Sequence, residues 1–351
     1  MSNSLTSAMR VSPRKLTWLV ALTLTAGLVP FISGSPGTGK SAIVHQLSKT
    51  GNLKLIDHRL STSAPEDLSG LPHFVNGEAH FAPFTGLFPI EGMTEVPDGY
   101  DGWLLFLDEF NSADRDIQKA AYKLVLDRKV GQYNLHPKVQ IVCAGNLITD
   151  RAIVTELSTA MQSRMIHFEL SVDFKEWLQD VAIANNYDQR IIAFLSRHQD
   201  KLMNFDPNHN DKTFCCPRTW EFANKFLAVC GDDKKLDSAL TPAFAGTISA
   251  GIAVEFVQFT AVYDQLPSMK DILAGNALVP TGLDLRWATI SMMASHIEPS
   301  KKEDLSRLAN FANQFDVSLR VLFYRMALGR FPNLRREPVF STALLTLQEY
   351  V

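Results

Sequence analysis

The sequence predicts an α/β core built on a doubly wound parallel sheet, followed by an all-helical second half. Three observations predict it. A glycine-rich run, Gly34-Ser35-Pro36-Gly37-Thr38-Gly39-Lys40-Ser41, joins an apolar stretch to one with helical spacing. A continuous apolar run, Trp103 to Leu107, ends in Asp108-Glu109. From Asp173 onward, apolar residues recur at helical rather than alternating intervals.

The first element is the least obvious. Arg10, Arg14 and Lys15 precede an apolar run, Leu16 to Ile32, with the outline of a signal peptide or a short membrane span. A bilayer needs about 20 apolar residues, and Thr17, Thr23, Thr25, Gly27 and Pro30 interrupt this run. Its last part, with Ser33, is also needed as the buried strand Val29 to Ser33 ahead of the glycine-rich loop. A helix packed on the core, in a cytosolic chain, is the expected outcome.

The loop matches G-x-x-x-x-G-K-[ST]. Its glycines let backbone N–H groups turn inward around phosphates, and the following helix, opened by Ala42-Ile43-Val44, presents its positive end to the same anion. Lys40 would neutralise phosphate charge, and the Ser41 hydroxyl would ligate Mg²⁺. ATP or ADP with Mg²⁺ is therefore the expected ligand. The run ending at Leu107 reads as a central parallel strand. Asp108 at its carboxyl end can hold the metal shell, and Glu109 can orient or deprotonate an attacking water. Ile117, Ala120, Ala121, Leu124 and Val125 then take helical spacing. Leu53 to His58, Val139 to Cys143 and Met165 to Leu170 supply three more strands. Five strands alternating with helices make a doubly wound sheet with nucleotide at the strand carboxyl ends.

Composition bounds the function. The 351 residues allow two domains, or three small ones, and an ample core. With 34 basic and 37 acidic side chains the formal charge is −3, which argues against a dedicated nucleic-acid binder. Cys143, Cys215, Cys216 and Cys230 form no Cys-x-x-Cys pair, so neither a disulfide scaffold nor a zinc ribbon is expected.

At these residues the chain resembles an AAA+ ATPase, and more narrowly the MoxR family. The motifs are Gly34-x-x-x-x-Gly39-Lys40-Ser41, Leu107-Asp108-Glu109-Phe110-Asn111, Gly145-Asn146, Ser163-Arg164 and Pro217-Arg218-Thr219-Trp220, in family order. The resemblance spans roughly residues 16–227. It implies that Asn146 is a polar sensor positioning the lytic water. It implies that Arg164 is an arginine finger reaching a neighbour's γ-phosphate, and Arg218 a second sensor on a helical lid, acting in cis or in trans. Three positions depart from the family pattern: Leu147 follows the first sensor instead of Pro, Ser112 replaces Arg, and Met165 replaces an aromatic. They bear on contacts between subunits more than on the hydrolytic core. Taken without the family, a lone Asn or Arg at any of these places is more simply structural.

The family also carries an insert after the second strand. His73-Phe74-Val75 and Glu78 to Phe81 flank Asn76-Gly77, a strong two-residue turn, so Leu71 to Phe81 is expected as a hairpin within an insert at about 71–90. Phe81, Phe84 and Phe88 are candidates for contact with a partner protein. The same rings could equally pack under the insert or on the next subunit, the commoner fate of a single Phe.

In the second half, Phe174, Trp177, Leu178, Val181 and Ala182 form one helical face, with Asp173 and Glu176 as a capping box. Ile191, Ile192, Phe194 and Leu195 open another helix, and Pro217 the first turn of a third. The expected organisation is a core at 1–170, a helical lid at 171–230, and a C-terminal helical extension at 231–351 completing the lid. A polar linker is expected at Gly231 to Lys235, and helices near Ile248–Tyr263, Leu283–His296 and Leu305–Leu328.

The resemblance implies a Mg²⁺-dependent ATPase in a homo-oligomeric ring, hexameric in the family. Such a ring would remodel a separate client protein, in this family often one with a von Willebrand factor A domain. Three rivals remain. A nucleic-acid motor would need a basic pore lining, yet His73 to Gly102 holds no Lys or Arg. A nucleotide switch or scaffold would not need Lys40, Asp108 and Glu109 together. A small-molecule kinase would not need a water-activating Glu109.

Overall fold

The computed structural model describes residues 10–84, 86–150, 154–230 and 235–347. The expected linker at Gly231 to Lys235 lies, apart from Lys235, outside them. The chain divides into two compact units, Met1–Val172 and Asp173–Val351.

The first unit is an α/β core with the glycine-rich loop at the end of one of its central strands. Its strands are β1 (Arg10–Val11), β2 (Val29–Ser33), β3 (Leu53–Arg59), β6 (Gly102–Asp108), β9 (Val139–Gly145) and β10 (Met165–Leu170), in the order β1-β10-β2-β9-β6-β3. All pairings in this sheet are parallel. The glycine-rich loop leaves β2 between β9 and β10, so the acids of β6 and the polar turn after β9 end beside it.

Period two in the strands sorts the core into two layers. Trp103, Leu105 and Leu107 of β6 pack with Phe31, Ile141 and Cys143 on one face. Leu104 and Phe106 pack with Ile32, Val142 and Ala144 on the other. Every residue of β6 is buried, which is why its sequence is apolar without alternation. The second layer is covered by α1 (Pro13–Thr25) and α2 (Lys40–Thr50). Leu16, Val20 and Leu24 of α1 form the inward stripe. The N-terminal apolar run is thus a packed helix followed by a strand, and no helix among the described residues is long and apolar enough to cross a membrane. On the first face lies α4 (Arg115–Leu126), with Ile117, Ala121, Leu124 and Val125 inward.

The sheet has six strands where five were expected. Val11 pairs with Leu170, and Arg10 Nε donates to Glu169 Oε1 at 2.7 Å. Two residues are too few to show a period.

Between β3 and β6, α3 (Pro65–Ser69) leads into the hairpin β4 (Leu71–Val75) and β5 (Glu78–Ala82). Asn76 and Gly77 both have positive φ, 50° and 86°, as the tight turn requires. A second, very short hairpin, β7 (Lys129–Val130) and β8 (Tyr133–Asn134), follows α4. Gln132 at its turn bonds the ring of His80 on β5 at 3.4 Å. A short helix, α5 (Thr159–Gln162), precedes β10.

The second unit is all helical. Its helices are α6 (Phe174–Trp177), α7 (Gln189–Arg197), α8 (Pro217–Cys230), α9 (Thr241–Ile248), α10 (Ala250–Thr260), α11 (Met269–Ala274), α12 (Leu283–Ser295), α13 (Lys302–Ala312), α14 (Val317–Arg330) and α15 (Pro338–Thr346). Asp173 caps α6 through the Glu176 N–H at 2.8 Å, and Leu178–Ile183 continues it as a π-helix. Phe194, Trp220, Phe244 and Phe256 build an aromatic core with centroids 5.3 to 5.8 Å apart. The helical run expected over Leu305–Leu328 is two helices, because the chain turns after Ala312 and restarts with Asp316 at the N-cap of α14.

Candidate nucleotide site

The loop Gly34 to Ser41 occupies the end of β2 with Gly39 at φ +100°, a left-handed position at the N-cap of α2 that disfavours a side chain. Lys40 is 9% exposed. Its Nζ donates to the carbonyls of Gly34 at 2.5 Å and Ser35 at 3.2 Å, and to Asn146 Oδ1 at 3.2 Å. Thr38 Oγ1 donates to the Ser35 carbonyl at 2.8 Å, bracing the loop. The ammonium is buried against the carbonyls that open the loop. An anion in the loop would be attracted strongly.

Ser41 and Asp108 face each other: Oγ donates to Oδ2 at 3.0 Å. Asp108 is 6% exposed, and its Oδ1 accepts the Glu109 N–H at 2.8 Å. One hydroxyl and one carboxylate are hard oxygen donors suited to Mg²⁺, which keeps several waters and takes its other ligands from phosphate. The residues present fit that ion. Among the described residues no group of three His, Cys, Asp or Glu side chains is arranged to hold a metal.

Glu109 has φ +54°, an unusual backbone for a residue with a side chain. Its Oε2 accepts the Ser61 hydroxyl, and its Oε1 lies 3.6 Å from Arg59 Nε. Arg59 is the register partner of Asp108 across β3 and β6. Neither Arg59 nor Ser61 was expected at the site. Arg59 is the last residue of β3 and Ser61 follows in the short turn after it, and their reach to Glu109 depends on a strand register that residue spacing does not give.

Nearby, His58 bonds Ser63 Oγ through Nε2 at 2.9 Å and meets Phe88 edge-on, centroids 5.3 Å apart. Burial pushes its pKa below the usual imidazole range, although Asp67 and Asp57 pull it upward.

Asn146, the residue after β9, therefore meets Lys40 in the same chain. Arg164 sits on an exposed turn between α5 and β10 and donates through Nη1 to the Ala160 carbonyl at 3.0 Å. Arg218 belongs to the second unit, where it is the second residue of α8 and is exposed. The structure thus brings together Lys40, Ser41, Asp108, Glu109 and Asn146 in the first unit, and Arg164 and Arg218 are exposed on their own units.

The aromatics separate into two groups. Phe81 and Phe84 are 45% and 40% exposed. Phe88 is only 4% exposed and belongs to the core with Leu60, Leu68 and Ile90, so its expected place at a partner surface is corrected here. The loop carrying it is drawn inward because Ile90 pairs with Leu135 and the His136 N–H donates to the Pro89 carbonyl at 2.9 Å. Phe74, not singled out from the sequence, is 78% exposed. Phe74 pairs with Ala79 and Pro72 with Phe81, which puts these four on one face of the hairpin. All four are exposed. Alternation about the Asn76-Gly77 turn was the signal that would have found it.

No family model and no curated protein matches the chain. Solved structures resemble it at low identity. The Thermotoga maritima RuvB Holliday junction branch migration motor is 16% identical, covering 75% of this chain and 74% of its own, with a TM-score of 0.35. A candidate ATPase from Cytophaga hutchinsonii is 14% identical, covering 96% of this chain and 89% of its own, with a TM-score of 0.34. Neither overlap is close enough to argue for a function. The fold stands on the strand order and loop geometry described above.

Proposed function

We propose that this chain is a Mg²⁺-dependent ATPase of the MoxR type, working in a homo-oligomeric ring, hexameric by family resemblance, on a separate client protein. The observation that carries the reading is the convergence of Lys40, Ser41, Asp108, Glu109 and Asn146 at one end of the parallel sheet. A phosphate-binding loop alone would serve a switch. A loop joined to a paired acid and a polar sensor suits hydrolysis.

Lys40 exchanges its loop carbonyls for phosphate oxygens when ATP enters, while the N–H groups opening α2 hold the same phosphates. Ser41 and Asp108 would hold Mg²⁺, which when bound neutralises charge on the phosphates. Glu109 leaves Ser61 and accepts a proton from the attacking water, whose oxygen forms the new bond to the γ-phosphorus. The bond from that phosphorus to the bridging oxygen breaks, and ADP departs with the electron pair. Asn146 orients the water through its carboxamide. Arg164 would serve a neighbouring protomer, where a guanidinium at the transferring group is worth about 10³ to 10⁵ in rate. Arg218 would couple the helical unit to the nucleotide, in cis or in trans. The exposed hairpin face of Pro72, Phe74, Ala79 and Phe81 would touch the client, and a von Willebrand factor A domain is the client class the family suggests.

The test is phosphate release per protomer as a function of protomer concentration, for the wild type and Arg164→Ala. A rate per protomer that rises with concentration and collapses in Arg164→Ala is expected for a shared site. A rate flat with concentration and indifferent to Arg164, from protein shown to be monomeric, would overturn the ring.

A further inference from the structure

Asn111 lies three residues beyond Asp108, in a single 3₁₀ turn spanning Phe110–Ser112, and is 5% exposed. No step above gives it a task. Its carboxamide is aimed at the turn that follows β9. Oδ1 accepts the backbone N–H of Asn146 at 3.0 Å, and Nδ2 donates to the backbone carbonyl of the same residue at 2.8 Å. One side chain thus pins both polar backbone groups of Asn146. The Asn111 carbonyl in turn accepts the Thr155 N–H at 2.6 Å, tying the segment after the turn to the same point.

This approach is close enough to constrain the neighbouring residue. A Cβ added at Gly145 would stand 2.3 Å from Asn111 Oδ1 and 2.9 Å from Phe31 Cζ. Glycine at 145 is what lets the carboxamide reach the backbone of 146. With its backbone fixed, the Asn146 side chain presents Oδ1 to Lys40 at 3.2 Å. The clasp therefore runs from the segment carrying Asp108 and Glu109 to the residue assigned to the water.

From this geometry we infer that Asn111 is a positioning residue for hydrolysis: its carboxamide fixes the Asn146 backbone, and so the place of the Asn146 side chain relative to Glu109. The inference rests on the ATPase reading above. Asparagine suits the task because it offers one donor and one acceptor at the reach required. Aspartate keeps the acceptor for the Asn146 N–H but turns a second acceptor toward the Asn146 carbonyl, and alanine offers neither. Misplacing a catalytic group by about 1 Å can cost about 100-fold in rate.

The experiment uses the full chain with Asn111→Ala and Asn111→Asp. Affinity for a fluorescent ATP analogue with Mg²⁺ is measured first, and phosphate release at saturating ATP is then expressed per binding-competent site. The expected result is turnover reduced about 10- to 100-fold in Asn111→Ala, with affinity within about twofold of wild type and Asn111→Asp falling between the two. Turnover per competent site equal to wild type in Asn111→Ala overturns the inference. So does a loss of affinity that accounts for the loss of rate, or absence of nucleotide binding in both variants, since either would mean that the clasp only holds the fold. Failure of the wild type to release phosphate would instead strike the ATPase reading itself, and the inference with it.

Discussion

The Ser41 hydroxyl donates to Asp108 Oδ2 across 3.0 Å, joining the first turn of α2 to the tip of β6. Two hard oxygens from segments 67 residues apart in sequence are thereby held about as far apart as adjacent ligands of an octahedral Mg²⁺, whose ligand distances are about 2.0 to 2.1 Å. Asp108→Asn keeps the shape and removes the charge. Nucleotide affinity in the presence of Mg²⁺ should then fall by at least about tenfold, as loss of metal-site contacts generally does. Affinity measured with EDTA should change little. An equal loss under both conditions would show that Asp108 supports the loop and not the metal.

Glu109 presents a carboxylate that is already hydrogen-bonded to Ser61 and close to Arg59, on a left-handed backbone. Glu109→Gln conserves size and can still meet Ser61 and Arg59 while losing its ability to accept a proton. Steady-state phosphate release should drop by about 10² to 10⁴, with ATP still bound. The check is a trapped nucleotide: after mixing with ATP, the variant should retain unhydrolysed triphosphate where wild type holds ADP. Turnover near wild type would remove Glu109 from the role of base.

The aromatics of the insert give a contrast between stability and partner contact. Phe88 fills the core beneath His58, and truncating a buried Phe costs about 3 to 5 kcal/mol. Phe88→Ala should lower the thermal midpoint by many degrees. Phe74→Ala and Phe84→Ala, at 78% and 40% exposure, should leave it nearly unchanged. If the exposed rings of the insert meet a client, these two substitutions should cut client-stimulated turnover while basal turnover holds. Unchanged stimulation in both would count against that role.

How much of this was legible follows from what each segment must satisfy. The glycines and Lys40 of the loop were readable because the phosphate geometry tolerates few residue types. The strand β6 was readable because burial on both faces forces a continuous apolar run, and the insert hairpin because Asn76-Gly77 suits a turn that needs two positive φ angles. The edge strand β1 and the hairpin β7–β8 were not readable, since two-residue strands carry no period. Phe84 and Phe88 look alike in sequence, set among Pro and Gly, and only the pairing of Ile90 with Leu135 decides that one faces water and the other the core. The contacts of Glu109 with Arg59 and Ser61, and of Asn146 with Asn111, join segments brought together by strand register and order. Their polar residues were visible, but their partners were not.

His58 should make the fold sensitive to mild acid. Burial is the larger influence on its ring and lowers its pKa, while Asp67 and Asp57 oppose the shift without cancelling it. In the unfolded chain the imidazole titrates near 6.5. The unfolded state therefore takes up a proton at a pH where the folded state still resists one. Stability is full above that value, falls as pH drops through the window down to the lower folded pKa, and then levels off. His198 on α7's far end is shifted in the same direction, chiefly by burial with Lys201 and Arg197 assisting, so wild type carries both contributions. The measurement is the thermal midpoint between about pH 8 and about pH 5, for wild type and His58→Gln. The variant should start lower, having lost its packing against Phe88, and should lose less on acidification. A variant whose midpoint falls as steeply as wild type over that interval would show that protonation of His58 does not oppose folding.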